Sequence, residues 1–415
     1  MSTLSHPKIP ELLAPAGNFE KLRIAVHYGA DAVYIGGAGY SLRAHATFPQ
    51  ENIAEAVTYA HERGVKVYVT VNIFAHNHDL AGLGVYLEKL AEAAVDGLII
   101  ADPGLLASAQ RIVPHLPIHL STQANVTNTA SALFWQEQGV RRLNLARELS
   151  LAEITEIRRQ ISCEIEVFVH GALCISYSGR CLLSYYLTGR DANRGDCAHP
   201  CRYGYTVQEE QRPGQYFPVE EDERGTYIFN SRDLCLINRL PELIRVGVDC
   251  LKIEGRMKSP YYVGTTVRAY RAALDFLKTG LLQGGEVPAT LPPIFMEELQ
   301  KVGSRGYTEN FLDSPPNSRD MLYDQPRAAP THQPVAIVRQ AGDRPLVEVR
   351  NPLEIGEEIE YLDRELGGQY CRITAMTDAD GVALERANPG NMVTLQVAPA
   401  PRHWAVNALL RRRCG

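Results

Sequence analysis

Short apolar runs alternate with longer amphipathic stretches through the first half of the chain. The apolar runs are rich in valine and isoleucine and are mostly bounded by glycine, proline or aspartate, which is typical of β-strands. They predict eight strands, at Glu11–Ala14, Ala32–Ile35, Val65–Asn72, Gly97–Ala101, Ile118–Ser121, Arg142–Ala146, Glu164–His170 and Asp249–Ile253. Apolar residues at helical spacing predict helices at Asn18–Tyr28, Glu51–Arg63, Ser150–Arg159 and Tyr261–Lys278.

The repeated order of strand and helix indicates parallel βα units. Eight such units favour a closed (β/α)8 barrel of the TIM type over an open sheet. An open doubly wound sheet is the structural alternative, but the first strand is followed by AGNFEK rather than by the GxGxxG turn of dinucleotide-binding sheets. The expected fold class is therefore α/β.

The regular spacing breaks once, between the seventh and the eighth predicted strands. The intervening residues 171–248 hold a group of cysteines, several aromatic residues and the polar stretch Glu209–Gly225. Such a segment is an insertion at the carboxyl end of a barrel strand, where these barrels carry their functional sites. We therefore expect one barrel domain over residues 1–330, with a cysteine-rich insertion and a metal site at 171–248.

The last part of the chain has a different pattern. Gly280–Pro293 is predicted to be a loop, and Pro315–Pro334 is rich in proline and is interpreted as a linker. From about residue 333, apolar and polar residues alternate in short segments separated by glycine-containing turns, which is typical of a small all-β barrel or sandwich. Residues 331–415 are therefore expected to form a small C-terminal β domain.

Composition narrows the class of protein. The 415 residues are 45% hydrophobic and 22% charged, as in ordinary folded globular proteins, and the formal net charge is −6. A slightly acidic chain is not expected to coat nucleic acid non-specifically, because such binding rests on clustered lysine and arginine. The sequence shows no apolar run of the roughly 18 residues of a membrane span and no signal peptide. We therefore expect a cytoplasmic protein without a membrane partner.

The chain has nine cysteines, an odd number that does not fit a short secreted disulfide scaffold. Four of them fall in the predicted insertion: Cys174, Cys181, Cys197 and Cys201. Four thiolates from one segment can enclose a soft metal ion or an iron–sulfur cluster, and their spacing alone does not choose between zinc and iron–sulfur. Cys235 is a substitute ligand. The alternative is a set of buried hydrophobic cysteines.

The remaining cysteines have no assigned chemistry. Cys163 directly precedes a predicted strand and Cys250 lies within one, so both are expected in the core. Cys371 falls in a predicted strand of the C-terminal domain. Cys414 is expected on a frayed tail, and the run Arg411–Arg413 is expected to be solvated there.

Polar residues stand at the ends of most predicted strands: Asn72, Asp102, Gln123, Asn125, Arg147, Glu148, His170, Lys252, Glu254 and Arg256. In a barrel these positions converge on one mouth. A mouth with several cations suits a small anionic molecule, because a guanidinium grips a carboxylate through two hydrogen bonds. Each residue alone could equally be a strand-end cap or a surface ion pair. We assign catalytic roles to His170, Lys252, Glu254 and Arg256, and substrate binding to Asn72, Gln123, Asn125, Arg147 and Glu148.

Sequence signals of a hydrolase are weak. The chain contains neither HExxH nor GxSxG. A cysteine nucleophile needs a basic partner, and His170 lies four residues before Cys174, yet the clustering of thiols fits ligation better. A peptidase is therefore the weaker chemical interpretation.

The segment Glu166–Tyr205, EVFVHGALCISYSGRCLLSYYLTGRDANRGDCAHPCRYGY, resembles the collagenase-like peptidases of family U32. Further motifs of that family are ELLAPAG near residue 11, YGADAVYIGG near 28, IHLSTQAN near 118, RELS at 147, NSRDL at 230, LKIEGRMKSPYYV at 251 and RGYTENF near 305. The resemblance covers nearly the whole chain, and HGALC…SGRC and KIEGR are its most specific motifs.

The resemblance implies more than the peptidase label of the family. One branch hydroxylates the wobble uridine of tRNA to 5-hydroxyuridine independently of oxygen, drawing on prephenate. A sister branch hydroxylates a cytidine of large-subunit ribosomal RNA, and a third hydroxylates a ubiquinone precursor and carries 4Fe–4S clusters. In length, cysteine pattern and single small C-terminal domain, this chain is most similar to the tRNA branch. By that resemblance, Cys174, Cys181 and Cys197 would hold a 4Fe–4S cluster, with Cys201 or Cys235 as the fourth ligand.

The net charge requires that any tRNA-binding surface be local. Arginines and tyrosines alternate in the insertion: Arg180, Tyr185, Tyr186, Arg190, Arg194, Arg202, Tyr203 and Tyr205. This composition stacks and clamps single-stranded bases, although the tyrosines could instead pack around the metal site. The hypotheses are an iron–sulfur tRNA hydroxylase, a hydroxylase of another RNA base or a quinone precursor, a peptidase, or a non-catalytic module that hands electrons or substrate to a partner.

Overall fold

Eight parallel strands, in sequence order around the ring, form a closed barrel in the computed structural model. They are β1 (Glu11–Pro15), β2 (Ala32–Gly36), β3 (Lys66–Val71), β4 (Gly97–Ile100), β5 (Ile118–Leu120), β6 (Arg142–Asn144), β7 (Glu164–Gly171) and β8 (Cys250–Ile253). Strand β8 closes the ring because it pairs in parallel with both β1 and β7. The predicted fold class is confirmed.

The structure describes residues 8–42, 46–173, 176–177, 180–192, 195–202, 207–208, 216–217, 221–222, 225–226, 232–283, 286–313 and 330–414. The predictions made for Cys174, Arg194, Tyr203 and Tyr205 lie outside these residues, and so does the side chain of Arg202. Within the described ranges, no helix combines the length and the apolar character that crossing a membrane requires.

Eight helices follow the barrel strands: α1 (Phe19–His27), α2 (Gln50–His61), α3 (Leu83–Glu92), α4 (Pro103–Ile112), α5 (Thr129–Glu137), α6 (Leu151–Gln160), α7 (Leu240–Val246) and α8 (Pro260–Leu282). Several begin after a residue whose side-chain oxygen accepts a backbone N–H in the first turn, which satisfies a donor that the helix leaves unpaired. Ser150 does this for α6 and forms the predicted capping box with Glu153. Helix α8 runs beyond Lys278 into the predicted loop.

The segment between β7 and β8 is not one uniform insertion. Its regular elements are the helix Leu183–Thr188, the strand pairs Val207–Gln208 with Tyr216–Phe217 and Glu221–Asp222 with Gly225–Thr226, and the strand Asp233–Cys235. The last of these pairs antiparallel with β7 and parallel with Tyr307–Thr308, so it extends the barrel sheet outside the ring. Helix α7 follows it and packs beside α6. The end of the segment is therefore an ordinary part of the barrel.

Six antiparallel strands close a second, smaller barrel: β9 (His332–Gln340), β10 (Leu346–Val349), β11 (Glu358–Leu362), β12 (Gln369–Thr377), β13 (Met392–Ala398) and β14 (Leu409–Arg413). The short strands Leu353–Glu354 and Arg386–Ala387 pair with each other beside it. Alternate residues such as Val338, Ile359 and Leu395 are buried in a core of its own. The predicted C-terminal β domain is therefore a barrel rather than a sandwich.

The last strand corrects the expectation of a solvated C-terminal tail. Strand β14 pairs with both β9 and β11, so it closes the small barrel. The side chain of Arg411 is fully buried, and Arg412 lies 2.6 Å from Glu357. The backbone N–H of Cys414 donates to the carbonyl oxygen of Thr331 at 2.8 Å. The sequence analysis did not predict this strand, because a run of three arginines is typical of an exposed segment. In the structure, Arg411 instead faces buried carboxylates.

Arg411 belongs to a buried ion cluster that joins the two barrels. Its guanidinium lies 2.7 Å from Glu360 of β11 and 2.7 Å from Glu298 of the helix α9 (Ile294–Gln300). Arg268 of α8 also binds Glu298, at 2.8 Å. Burial raises the pKa of Glu298, but the hydrogen bonds and charges of the two arginines outweigh that effect and lower it to about 2. The two barrels are therefore joined by ionised groups kept away from water.

Replacing the arginine of this cluster, Arg411→Leu, should destabilise the protein strongly. Glu298 and Glu360 would stay buried without the partner they share, and breaking a buried ion pair in this way costs about 3–5 kcal/mol. We expect the free energy of unfolding, measured by chemical denaturation, to fall by about that amount. The control is Arg413→Leu, because Arg413 is exposed on the same strand. Equal losses in the two variants would contradict the role given to Arg411.

Candidate functional site

A cavity of about 600 Å³ opens at the carboxyl ends of the barrel strands. The side chains that line it include Asn72, Gln123, Arg147, Lys252, Glu254, Arg256, Cys181, Cys197 and Cys201. Most of the strand-end positions therefore meet at one mouth, as the geometry of a parallel barrel requires. The cysteine segment contributes a wall of the same cavity.

Two amide side chains on the floor of the cavity are linked by a chain of hydrogen bonds. The backbone N–H of Leu42 donates to Oδ1 of Asn72 at 3.2 Å, and Nδ2 of Asn72 donates to Oε1 of Gln123 at 2.7 Å. The hydroxyl of Ser121 donates to the same oxygen of Gln123 at 2.9 Å. Gln123 is only 4% exposed, so these contacts hold its side chain in a nearly dry site.

Lys252 lies in the barrel interior and forms an ion pair. Its ammonium is 2.8 Å from Glu166 and 4.7 Å from the ring centroid of Tyr34. Deeper in the barrel, Arg142 lies 3.6 Å from Glu166 and 2.7 Å from Glu11. We call Lys252, Glu166, Arg142 and Glu11 the interior ion column. Because Lys252 is committed to Glu166, it supports the cavity floor from below.

Arg256 is 3% exposed and extends from the loop after β8 to the loop after β2. Its guanidinium donates to the hydroxyls of Ser41 at 2.8 Å and Thr70 at 3.0 Å, and to the carbonyl of Leu42. A side chain at Gly36 would block this path, because its Cβ would lie 2.2 Å from Nη1 of Arg256. Arg256 therefore fixes the loop whose Leu42 N–H orients the amides of the floor.

Arg147 and Glu254 are further charged groups that line the cavity. Arg147 is half-buried, and its Nη1 donates to the carbonyl oxygen of Ala172 at 3.3 Å. Its Nε has no hydrogen-bond partner in the part of the chain that the structure describes. Glu254 accepts a hydrogen bond from the hydroxyl of Tyr34 at 3.0 Å. The mouth thus presents a guanidinium and a carboxylate to polar groups of a ligand.

Three of the four predicted metal ligands lie on the cavity wall. Cys181, Cys197 and Cys201 are half-buried, and the backbone N–H of His199 donates to Sγ of Cys197 at 3.3 Å. Cys174 lies outside the described residues. Among the residues that are described, no three cysteine, histidine or carboxylate side chains meet closely enough to enclose a metal ion.

Cys235 has a different environment from the cysteines of the wall. Its thiol is buried in the strand next to β7, 3.9 Å from the hydroxyl of Tyr270, and it does not line the cavity. Burial raises the pKa of Cys235 to about 11, which disfavours the thiolate that binds metals. Cys201 is therefore better placed to join the other two thiols. The remaining thiols do not line the cavity either: Cys163 is half-buried, and Cys250 and Cys371 are buried.

Arg180 ties the cysteine segment to the cavity floor. Its Nε donates to the backbone carbonyl oxygen of Gln123 at 2.8 Å. Its guanidinium also lies 5.5 Å from the ring centroid of Phe74, in the loop after β3. Arg180, which is exposed and was predicted to contact RNA, thus anchors the cysteine segment just before Cys181 to the turn after β5.

Two exposed tyrosines stand on the helix Leu183–Thr188, close in sequence to Cys181. Tyr186 is 86% exposed and Tyr185 is 58% exposed. Their rings therefore do not pack around a buried metal site, which was the structural alternative to stacking on bases. Arg190, which was also predicted to face RNA, lies 2.7 Å from Asp196.

His170 does not line the cavity, although it lies near the end of β7. The ladder between β7 and β8 shifts at this point, because Phe168 pairs with Lys252 and His170 pairs with the next residue of β8, Ile253. Val169 is thus an extra residue in β7, and such a bulge re-aims the side chain after it. The imidazole packs against three rings with centroids 5.4–5.9 Å away: Tyr262, Tyr270 and Tyr307.

Three other strand-end residues also lie outside the cavity lining. Asn125 adopts a left-handed backbone conformation with φ of 54°, and Glu148 is half-buried. Asp102 accepts the backbone N–H of Leu105 at 2.9 Å and so caps helix α4. For Asp102 the structural alternative, a strand-end cap, is therefore what the structure shows.

Asn144 is a cavity residue that the sequence analysis missed. Asn144 is the last residue of β6, is 2% exposed and lines the cavity. The predicted strand ran on to Ala146, so the strand-end rule selected Arg147 instead. The available signal was an asparagine between Leu143 and Leu145, because a polar side chain in a buried strand needs a partner.

The fold and the cavity together define a class of protein: a (β/α)8 barrel with a cysteine-bearing wall at its carboxyl end and a second β barrel after it. Residues 17–322 match the model of peptidase family U32, and residues 330–411 match the model of its C-terminal domain. The chain belongs to peptidase family U32.

Curated relatives match this chain over most of its length. It is 41% identical over 384 residues to tRNA hydroxylation protein P1 of Bacillus subtilis, covering 92% of this chain and 90% of that protein. It is 39% identical over 448 residues to tRNA hydroxylation protein P of Escherichia coli, with 97% and 96% covered. It is also 35% identical over 364 residues to a 23S rRNA 5-hydroxycytidine synthase of Escherichia coli, covering 86% of this chain and 53% of that protein.

The imidazole of His170 should stay neutral across the physiological pH range. Burial lowers its pKa to about 3, so the histidine nitrogen signals assigned with a His170→Gln variant should not titrate between pH 5 and 8 in NMR spectra. An unfolded histidine titrates near pH 6.5, so this group favours the folded state fully above that pH and loses its contribution as the pH falls toward 3. A midpoint near 6.5 would show that water reaches the ring.

Proposed function

We propose that the chain is a tRNA-modifying enzyme needed for oxygen-independent hydroxylation of the wobble uridine to 5-hydroxyuridine, with an iron–sulfur cluster and an input derived from prephenate. The observation that carries the proposal is the shared cavity, whose lining combines three cysteines, a polar floor and the guanidinium of Arg147. The names of relatives that match more than nine-tenths of the chain support the substrate class. The similarity to an rRNA 5-hydroxycytidine synthase supports hydroxylation of a pyrimidine in RNA.

Cys174, Cys181, Cys197 and Cys201 would hold a 4Fe–4S cluster. Thiolates are the usual ligands of such clusters, and the three described cysteines lie on one wall of the cavity. The burial of Cys235 away from the cavity favours Cys201 as the fourth ligand. When bound, the cluster would supply electron transfer. Zinc is the alternative ion for the same four thiols.

Arg147 is the proposed contact for a carboxylate of the prephenate-derived input. Lys252 is occupied by Glu166, and Arg256 bridges two loops, whereas Nε of Arg147 has no partner among the described residues. A hydrogen bond between a guanidinium and a carboxylate is strengthened by both charges. Glu254 is the carboxylate at the mouth, oriented by Tyr34, and is the proposed proton acceptor for the bound molecules.

The RNA base would have to leave its stack to enter a cavity at the end of a barrel. A volume of about 600 Å³ lies within the ordinary range of small-molecule sites, so one extruded nucleotide is a reasonable occupant. Tyr185 and Tyr186 offer exposed rings on which neighbouring bases can stack. Arg194 and Arg202 remain predicted phosphate contacts on the same segment.

Protein purified without oxygen should be brown and should contain about four iron and four sulfide per chain. Cys197→Ser and Cys201→Ser should each lose most of the iron, because thiolate ligands are removed. The matched control is Cys235→Ser, which should keep its iron because its thiol lies away from the wall. Metal analysis and visible spectra provide the measurement. A colourless zinc protein would overturn the cluster proposal.

Nucleoside mass spectrometry of tRNA tests the reaction directly. A strain that lacks the gene and any redundant pathway should lose 5-hydroxyuridine derivatives, and the wild-type chain should restore them. Arg147→Met should reduce the rate with limiting prephenate roughly tenfold to a hundredfold, because a charged hydrogen bond is lost. Arg159→Met, at an exposed position of α6, is the control and should restore wild-type levels.

Two outcomes of this experiment would reject the proposed function. The first is a deletion strain whose 5-hydroxyuridine derivatives are unchanged. The second is purified, cluster-replete protein that leaves tRNA unmodified but cleaves casein or collagen, which would favour the peptidase hypothesis. Activity that appears only when a second protein is added would instead favour the module that serves a partner.

A further inference from the structure

Two buried amides on the cavity floor have atoms without a hydrogen-bond partner among the described residues. Nε2 of Gln123 has no partner within the described part of the chain, and neither amide atom of Asn144 has one. Gln123 is 4% exposed and Asn144 is 2% exposed, and both line the cavity. Unpaired buried polar atoms are costly, so a ligand that pairs with them gains affinity.

The hydrogen bonds around Gln123 determine which end of its amide faces the cavity. A backbone N–H can only donate, so the N–H of Leu42 fixes Oδ1 of Asn72 as an acceptor and leaves Nδ2 of Asn72 to donate. Oε1 of Gln123 accepts from that nitrogen and also from Ser121. Nε2 of Gln123 is therefore a donor of fixed polarity, and its ligand partner must be an acceptor.

Asn144 complements this donor. Strands β5 and β6 pair in the register His119 with Arg142 and Leu120 with Leu143, so Ser121 and Asn144 are the residues that follow the last pair on the two chains. The amide of Asn144 has a free donor and a free acceptor side by side among the described residues. An asparagine in this state can pair with a neighbouring N–H and carbonyl of one heterocycle.

We propose that Gln123 and Asn144 read the base in the cavity as uracil, with Gln123 donating to the oxygen at position 4 and Asn144 pairing with the N3–H and the oxygen at position 2. This inference rests on the proposed function and adds the residues that choose the base. Cytosine has an amino group at position 4, and the donor of Gln123 would face that group without a hydrogen bond. Cytosine also places two adjacent acceptors, N3 and the oxygen at position 2, where Asn144 offers one acceptor and one donor, so both amides disfavour cytosine.

The contact of Arg180 supports this orientation of the base. Arg180 precedes Cys181 and binds the backbone carbonyl of Gln123 at 2.8 Å, so Gln123 is the floor residue tied to the cysteine wall. Carbon 5, which is hydroxylated, is bonded to carbon 4. A base whose position 4 contacts Gln123 therefore presents carbon 5 toward the side of the cavity that the cysteine segment covers.

The test compares anticodon stem-loop RNAs that differ only in uridine or cytidine at the wobble position. Binding is measured by fluorescence anisotropy with the cluster-replete protein, and hydroxylation of each RNA is measured by mass spectrometry. The wild-type chain should favour uridine about tenfold or more in both measurements. Gln123→Glu replaces the donor by an acceptor, which pairs with the cytosine amino group, so the preference should shift toward cytidine by about tenfold to a hundredfold.

Asn72→Asp is the second variant, and it leaves Gln123 itself intact. The new carboxylate can only accept, so it should turn the amide of Gln123 and present Oε1 to the cavity. The preference should shift toward cytidine as it does in Gln123→Glu, a change that loss of packing alone would not produce. Asn144→Ala should weaken the binding of uridine more than that of cytidine, because it removes the acceptor for the N3–H of uracil. Gln340→Glu, an exposed amide in the small barrel, is the control and should leave the ratio unchanged.

Several results would overturn the inference while leaving the proposed function standing. In the first, the wild-type chain hydroxylates uridine, but Gln123→Glu and Asn72→Asp both keep the wild-type ratio of uridine to cytidine binding. Both variants must also melt at the wild-type temperature. Another is a change confined to the affinity for prephenate, which would assign the amide to the anion. If the wild-type chain binds uridine selectively but hydroxylates neither RNA, the proposed function fails and the reading of the base stands.

Discussion

The buried ion pair between Lys252 and Glu166 determines what kind of site this barrel can have. A barrel of eight strands is filled by its own side chains, and charges can fill it only if each meets a partner. The interior ion column meets this condition, because Arg142 lies between Glu166 and Glu11 beneath Lys252. The layer above the column carries the amides of Asn72, Gln123 and Asn144 and the hydroxyls of Ser121 and Thr122. The mouth is therefore suited to a small polar ligand.

The same end of the barrel explains why motifs far apart in the sequence occur together in this family. A Cβ at Gly17, in ELLAPAG, would lie 2.1 Å from the carbonyl oxygen of Arg256, and one at Gly36, in YIGG, would meet its guanidinium. Gly171, in HGALC, has φ of +115°, and a Cβ there would lie 2.6 Å from the carbonyl oxygen of Glu254. The glycines of the three motifs ELLAPAG, YIGG and HGALC therefore leave room for the residues of the fourth motif, KIEGR.

The sequence predicted what depends on local pattern and missed what depends on distant partners. The barrel strands follow from short runs of β-branched residues, and the convergence of Asn72 and Gln123 follows from the parallel topology. The bulge at Val169 has no composition signal, so His170 was assigned to the mouth. Strand β14 was expected to be solvated because the carboxylates that neutralise Arg411, those of Glu298 and Glu360, are distant from it in the sequence. Asn144 was missed because its strand ends earlier than its apolar neighbours suggest.

The hydrogen bond between Arg180 and the backbone of Gln123 makes the cysteine wall and the cavity floor one mechanical unit. Whatever reorders the segment around Cys181 must also move the end of β5, and whatever immobilises the floor must steady that segment. Thermodynamic linkage makes such an effect reciprocal: a metal centre that sharpens RNA binding is itself retained more tightly while RNA is bound. If the proposed cluster occupies this wall, its loss would reduce the accuracy of base selection at the floor as well as the rate.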